Sequence, residues 1–165
     1  MIKLIVLDVD GTLTNGKIIY NILGEETKEF DVKDGLAIAS WTKKLGLKAA
    51  IITGRKSMIV QKRAEELGIQ YIYQGVHNKD KVLENILEEE NISFKEVASI
   101  GDDLNDYKML QKSALSFAPA DAVDQIKELV NIVCTKKGGN GAVREMIEYI
   151  LEYDNKKDAI LDMWI

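Results

Sequence analysis

A chain of 165 residues that is 46% hydrophobic and 30% charged can bury a sizeable core and is too apolar to stay disordered. Its formal charge of −5 argues against nucleic acid as the main partner, because gripping a phosphate backbone takes a clustered basic surface. The only cysteine, Cys134, leaves no internal disulfide, and the opening MIKLIVLDVD is apolar for too few residues to span a bilayer, so a soluble cytoplasmic protein without a membrane partner is expected.

In chain order, LIVLDV (4–9) reads as the first buried strand, and it runs into two aspartates, Asp8 and Asp10. A helix is due next, yet GKIIYNILGEETKEFDV (16–32) reads as two strands joined near Leu23-Gly24, a β-hairpin. A lone hairpin is marginal in water, so Ile18, Tyr20 and Phe30 need a surface to cover them. Other subunits are the favoured surface, and the chain's own domain is the alternative. Helical spacing of Ile38, Trp41 and Leu45 follows, and Gly46 stops it. KAAIIT (48–53) is the next strand. Val60, Ala64 and Leu67 mark a helix ended by Gly68. QYIYQG (70–75) is a strand, and Lys79 opens a helix carrying Val82, Leu83, Ile86 and Leu87, with EEE (88–90) as its solvated end. SFKE (93–96) is a capping-box pattern close before VASIGD (97–102), with room for a single turn. ALSFA (114–118) and NIVC (131–134) complete the strands, and Val143, Met146, Ile147, Ile150 and Leu151 stripe a last helix.

Strands apolar on both faces, alternating with amphipathic helices, predict one α/β domain over residues 1–165 with a doubly wound, mostly parallel sheet. No stretch between Asp10 and Thr53, or between Thr53 and Asp102, is long enough for a folded cap once these elements are placed. In such sheets ligands bind beyond the carboxyl ends of the strands. That rim collects Asp8 and Asp10, then Thr53-Gly54-Arg55, then Lys79, then Asp102, Asp103 and Asp106 from GDDLND. Asp8 and Asp10 face one site if the strand runs to position 10. Crowded carboxylates repel by about 4 kcal/mol per pair ~4 Å apart at an effective dielectric of 20, and a hard cation such as Mg2+ relieves this. A carboxylate can attack phosphorus, and a second one can protonate the leaving alkoxide. Asp8 is thus the natural nucleophile and Asp10 the natural acid/base. Aspartates that merely form turns are the bland alternative, and it weakens once Thr53, Lys79 and Asp102 follow in order.

These residues resemble the four motifs of the haloacid dehalogenase superfamily. FDVKDG, IITGR, YQGVHNK, GDDLND and GGNGAVRE resemble, more narrowly, the sugar-acid phosphatases acting on 3-deoxy-D-manno-octulosonate 8-phosphate. Phosphatases of nonulosonate 9-phosphates share most of the pattern. The resemblance implies a Rossmann-like domain without a large cap, a homotetramer assembled through the hairpins, and a small-molecule sugar-acid phosphate as substrate. It implies that Asp8, the backbone carbonyl of Asp10, and Asp102 hold Mg2+. Thr53 and Lys79 are to bind the phosphate, with Asp103 and Asp106 in support. Asp31, Lys33, Asp34, Gly54, Arg55 and Arg63 are the expected substrate contacts, the two arginines facing a carboxylate. Ala39 departs from the octulosonate pattern, where a basic residue is common, and Asp31 stands where Asn is usual. Nonulosonate phosphatases, a phosphorylated receiver domain and a non-catalytic tetramerisation module are the competing readings.

Some residues are read as peripheral. His77 is expected in a loop, and Cys134 as a small buried hydrophobe. Gly138-Gly139-Asn140-Gly141 is either an anion nest or a flexible lead into the last helix. The apolar tail ending Met163-Trp164-Ile165 either docks on its own subunit or covers a neighbour's site.

Overall fold

The protein is described by a computed structural model covering all 165 residues. Six parallel strands form the central sheet: β1 (Leu4–Leu7), β4 (Lys48–Thr53), β5 (Tyr71–Gln74), β6 (Val97–Ile100), β7 (Leu115–Ala118) and β8 (Ile132–Val133). Their spatial order is β5-β4-β1-β6-β7-β8. Register pairs Leu7 with Ile51 on one side and with Ile100 on the other. The chain leaves β1 towards β4 and β5, then returns to β6 and proceeds the other way. The β1/β6 boundary is therefore the topological switch point, where a crevice opens at the strands' carboxyl ends.

Side-chain alternation explains why both faces are covered. Ile5, Leu7, Ala49 and Ile51 point into one hydrophobic cluster, with Ile38, Trp41, Val60 and Met146 from the helices α1 (Val32–Ala39), α2 (Met58–Glu66) and α6 (Ala142–Tyr153) and the turn that follows α1. Leu4, Val6, Ala50 and Ile52 point into the other, with Leu83, Ile86 and Met109 from α3 (Lys79–Glu90) and α4 (Tyr107–Lys112). A sheet apolar on both faces has to be covered on both. A small third cluster joins Leu110 and Ala118 to Ile126 of α5 (Asp124–Leu129).

The hairpin forms where the sequence places it, but its strands, β2 (Ile19–Tyr20) and β3 (Glu26–Thr27), pair over only two residues each. Gly24 takes φ +79° in the connecting turn. Phe30 packs on the main core, whereas Ile18, Tyr20, Ile22 and Leu23 are exposed in the single chain. Nothing resembling a large cap is inserted. α1 widens into a π-helical turn over Ser40–Lys44, and Gly46 ends it with φ +65°. Phe94–Glu96 makes one 3-10 turn with the capping box in place. The EEE end of α3 is not all solvated, since Glu90 accepts from Tyr71 and pairs with Lys48. The tail adds a last short helix, α7 (Ala159–Asp162), and no helix is long and apolar enough to cross a membrane.

Candidate active site

β1 stops at Leu7, two residues earlier than its apolar run suggests. Beyond it the Val9 carbonyl accepts from the N–H groups of Thr12, Leu13 and Thr14, folding the motif into a turn. Thr14 closes that turn, its hydroxyl accepting from Gly11 and Gly16. The expectation that Asp8 and Asp10 share a strand face is thereby corrected. Asp8 is buried and aimed at Lys79, while Asp10 sits in the turn and meets Lys28 of the hairpin.

Lys79 is the hub. Its side chain is 1% exposed, and its Nζ donates to Asp8 Oδ1 and Asp106 Oδ1, each at 2.6 Å. Burial alone would lower the lysine's pKa, but the two carboxylates outweigh it and hold the ammonium charged. The other Asp106 oxygen accepts from the N–H groups of Asp102 and Asp103. Gly101 is required beneath it, because a Cβ there would lie 2.4 Å from Asp106 Cγ. Both oxygens of Asp106 are thus spent inside the chain. It holds Lys79 and shapes the loop, and its geometry suits support better than metal ligation.

Carboxylate oxygens of Asp8, Asp102 and Asp106 lie within 4.8 Å of one another. Burial first, then the charges of Asp8 and Asp106, push the Asp102 carboxyl up to about 8. Burial and Asp8 also push Asp106 up, against the pull of Lys79. Three acids against one ammonium is an excess of negative charge at a hard-oxygen site, which is what Mg2+ relieves. Asp102 also explains Gly11. That glycine has φ +99°, and a Cβ on it would fall 2.0 Å from Asp102 Oδ2. Only a glycine lets the first motif turn lie against Asp102.

Thr53 ends β4 and is buried beside the crevice, and Gly54 follows it, exposed. Asp103 is exposed, and its carboxylate caps Leu104 N–H. Of the expected substrate contacts, Asp34 is corrected. It is 1% exposed, and its two oxygens accept from Gly141 and Arg144 N–H at the start of α6, so it caps a helix rather than facing a ligand. Asp31 caps α1 through Lys33 and Asp34 N–H. Asp31 and Lys33 do border a polar groove of about 410 Å³, with Lys136, Asn140 and Arg144. Arg55 and Arg63 have no partner in common. Arg55 donates to Tyr20 and Glu26 of the hairpin. Arg63 lies against Gly35, pairs weakly with Glu66 and sits 5.8 Å from the Phe30 ring. Ala39 packs on the core.

GGNG is no anion nest. Its four N–H groups are committed to Asp121, Thr12, Lys137 and Asp34 respectively. Gly138 and Gly139 instead press on the first motif turn, where a Cβ would fall 1.8 Å from Gly11 O and 2.5 Å from Asn15 N. His77 is exposed in its loop. Cys134 is buried, and burial pushes its thiol up to about 12. Two residues escape sequence reading. Thr14 was visible only as one hydroxyl in a polar run. Lys28 sits 18 residues from Asp10 on an unlike element, and only the fold joins them.

Residues 70–147 match the haloacid dehalogenase-like hydrolase family. The 3-deoxy-D-manno-octulosonate 8-phosphate phosphatase of Escherichia coli K12 is 41% identical over 157 residues, 95% of this chain and 83% of that protein. The chain belongs to this phosphatase family. Among solved structures, that of the Moraxella catarrhalis enzyme, crystallised with magnesium, phosphate and KDO, is 42% identical with a TM-score of 0.95 over 99% of this chain and 94% of that one. The cobalt-bound Haemophilus influenzae phosphatase is 35% identical, with a TM-score of 0.89 over 95% and 91% of the two chains. This family member is therefore a phosphoric monoester hydrolase on a capless Rossmann-like fold, with a small sugar phosphate as substrate and magnesium as its metal.

Proposed function

We propose that residues 1–165 form one phosphatase domain that hydrolyses 3-deoxy-D-manno-octulosonate 8-phosphate through an aspartyl phosphate on Asp8. One observation carries the reading. Lys79 is locked between Asp8 and Asp106, with Asp102 beside them, at the junction of β1, β4 and β6. Asp8, the Asp10 carbonyl and Asp102 would hold the Mg2+. The ion supplies charge neutralisation at the phosphoryl oxygens and lets two anions approach. Thr53 and Lys79 bind the phosphoryl group from the protein side. Asp8 keeps one oxygen free of Lys79 and attacks phosphorus with it. The sugar oxygen departs as Asp10 delivers a proton, and Asp10 then takes one from the water that opens the acyl phosphate. The groove beside Asp31 and Lys33 is polar enough for sugar hydroxyls, and Arg55 offers a planar fork to a carboxylate.

The exposed hairpin supports a homotetramer, and a chain with a single cysteine suits the cytoplasm. Ala39 keeps a nonulosonate 9-phosphate as the second reading, since a basic residue is absent there. Phosphate release from octulosonate 8-phosphate and from nonulosonate 9-phosphates, each with and without Mg2+, tests both. The octulosonate ester should give the highest kcat/KM, and only with metal. Preference for a nonulosonate ester would reassign the substrate, and no release from any ester by folded protein would overturn the phosphatase reading.

A further inference from the structure

We infer that Lys28, on the hairpin, is a positioning residue for Asp10, and that it sets how well this enzyme expels poor leaving groups. The inference rests on the reading of Asp10 as the acid/base. Lys28 follows β3 on an otherwise exposed element, yet its side chain is only 2% exposed. A lysine so covered is rare unless paired. Its Nζ lies 2.5 Å from Asp10 Oδ1 and 3.3 Å from Glu26 Oε1. Lys28 is the only side chain bonded to the Asp10 carboxylate. Glu26 is itself held by Arg55, so the ammonium is fixed from behind. Asp10 stands in a turn, not on a strand, and owes its orientation to this contact.

The consequence lies in the proton. As Asp8 bonds to phosphorus the ester P–O bond breaks, and the departing oxygen takes a proton from Asp10. A sugar alkoxide needs that proton, whereas p-nitrophenolate leaves without it. A misplaced acid therefore slows transfer of the phosphoryl group to Asp8 from alkyl esters and spares that step with aryl ones, while a loosened hairpin or a weakened metal site slows it with both alike.

The test compares kcat/KM, which reads only the steps up to departure of the leaving group, on octulosonate 8-phosphate and on p-nitrophenyl phosphate, using the Mg2+-loaded full chain. Lys28→Met should lose about 10- to 100-fold more on the sugar ester than on the aryl ester, the scale of a misaligned general acid. Lys28→Arg, which keeps the charge, should recover most of that ratio. Where Lys28→Met fails to fold, Lys28→Gln carries the same comparison. Equal losses on the two esters, or no loss, would overturn the proposal. Asp10→Asn separates the two levels. If it shows the selective loss and the Lys28 variants do not, only the positioning role falls; if it shows none, the acid/base reading falls and the positioning role with it.

Discussion

Asp34 shows how a residue can match a motif and do something else. Its position in DVKDG marked it as a substrate contact, but the fold spends it as the cap of α6. Sequence could not reveal this, because Gly141 and Arg144 lie over a hundred residues away. Burial raises the Asp34 carboxyl to about 6, against the pull of the Arg144 N–H. An acid raised in the folded state binds more protons there than when unfolded. Its contribution is thus most favourable below its unfolded value near 4 and is lost as pH rises through about 6. Relative to wild type, Asp34→Asn should therefore gain about 2–3 kcal/mol in unfolding free energy between pH 4 and pH 7, read by urea titration at each pH. A constant difference across that range would contradict the burial argument. By contrast, Asp8, Lys79 and Asp102 were legible, because their motifs each fall at a strand's end or a helix's start and the parallel topology brings those termini together.

At the scale of elements, the six sheet strands were readable from apolar runs, since strands buried on both faces leave no other pattern. Their ends were not, because hydrogen bonding rather than hydrophobicity ends β1 at Leu7. The tail is the clearest case of an undecided element. Sequence left it equally suited to its own subunit or a neighbour's. In the structure Ile160 is buried, Trp164 Nε1 donates to Ser40 Oγ at 3.0 Å, and Lys44 Nζ lies 3.8 Å from the Trp164 ring centroid. It docks on the turn after α1 of its own chain. Ile160→Ala should accordingly cost about 2 kcal/mol of stability, the low end for a buried isoleucine, with kcat nearly unchanged. A collapse of kcat with stability intact would instead place the tail in a neighbour's site.

The whole molecule presents an imbalance that a single chain does not resolve. Ile22 is fully exposed, Leu23 is 79% exposed, and Ile18 and Tyr20 join them on one short hairpin. Such a concentration of apolar side chains marks a contact surface. Ile22→Asp combined with Leu23→Asp should convert the proposed tetramer to smaller species in light scattering, while a wild-type monomer would remove the hairpin from any assembly role. The central claim, however, lies at the crevice between β1 and β6. Borohydride trapping of the Mg2+-loaded Asp10→Asn enzyme, quenched during turnover of p-nitrophenyl phosphate, whose leaving group needs no proton, examines it most directly. Peptide mass analysis should find Asp8 reduced to homoserine, the signature of an acyl phosphate at that carboxylate. An unmodified Asp8 in enzyme that is still releasing phosphate, or label on another residue, would contradict the account.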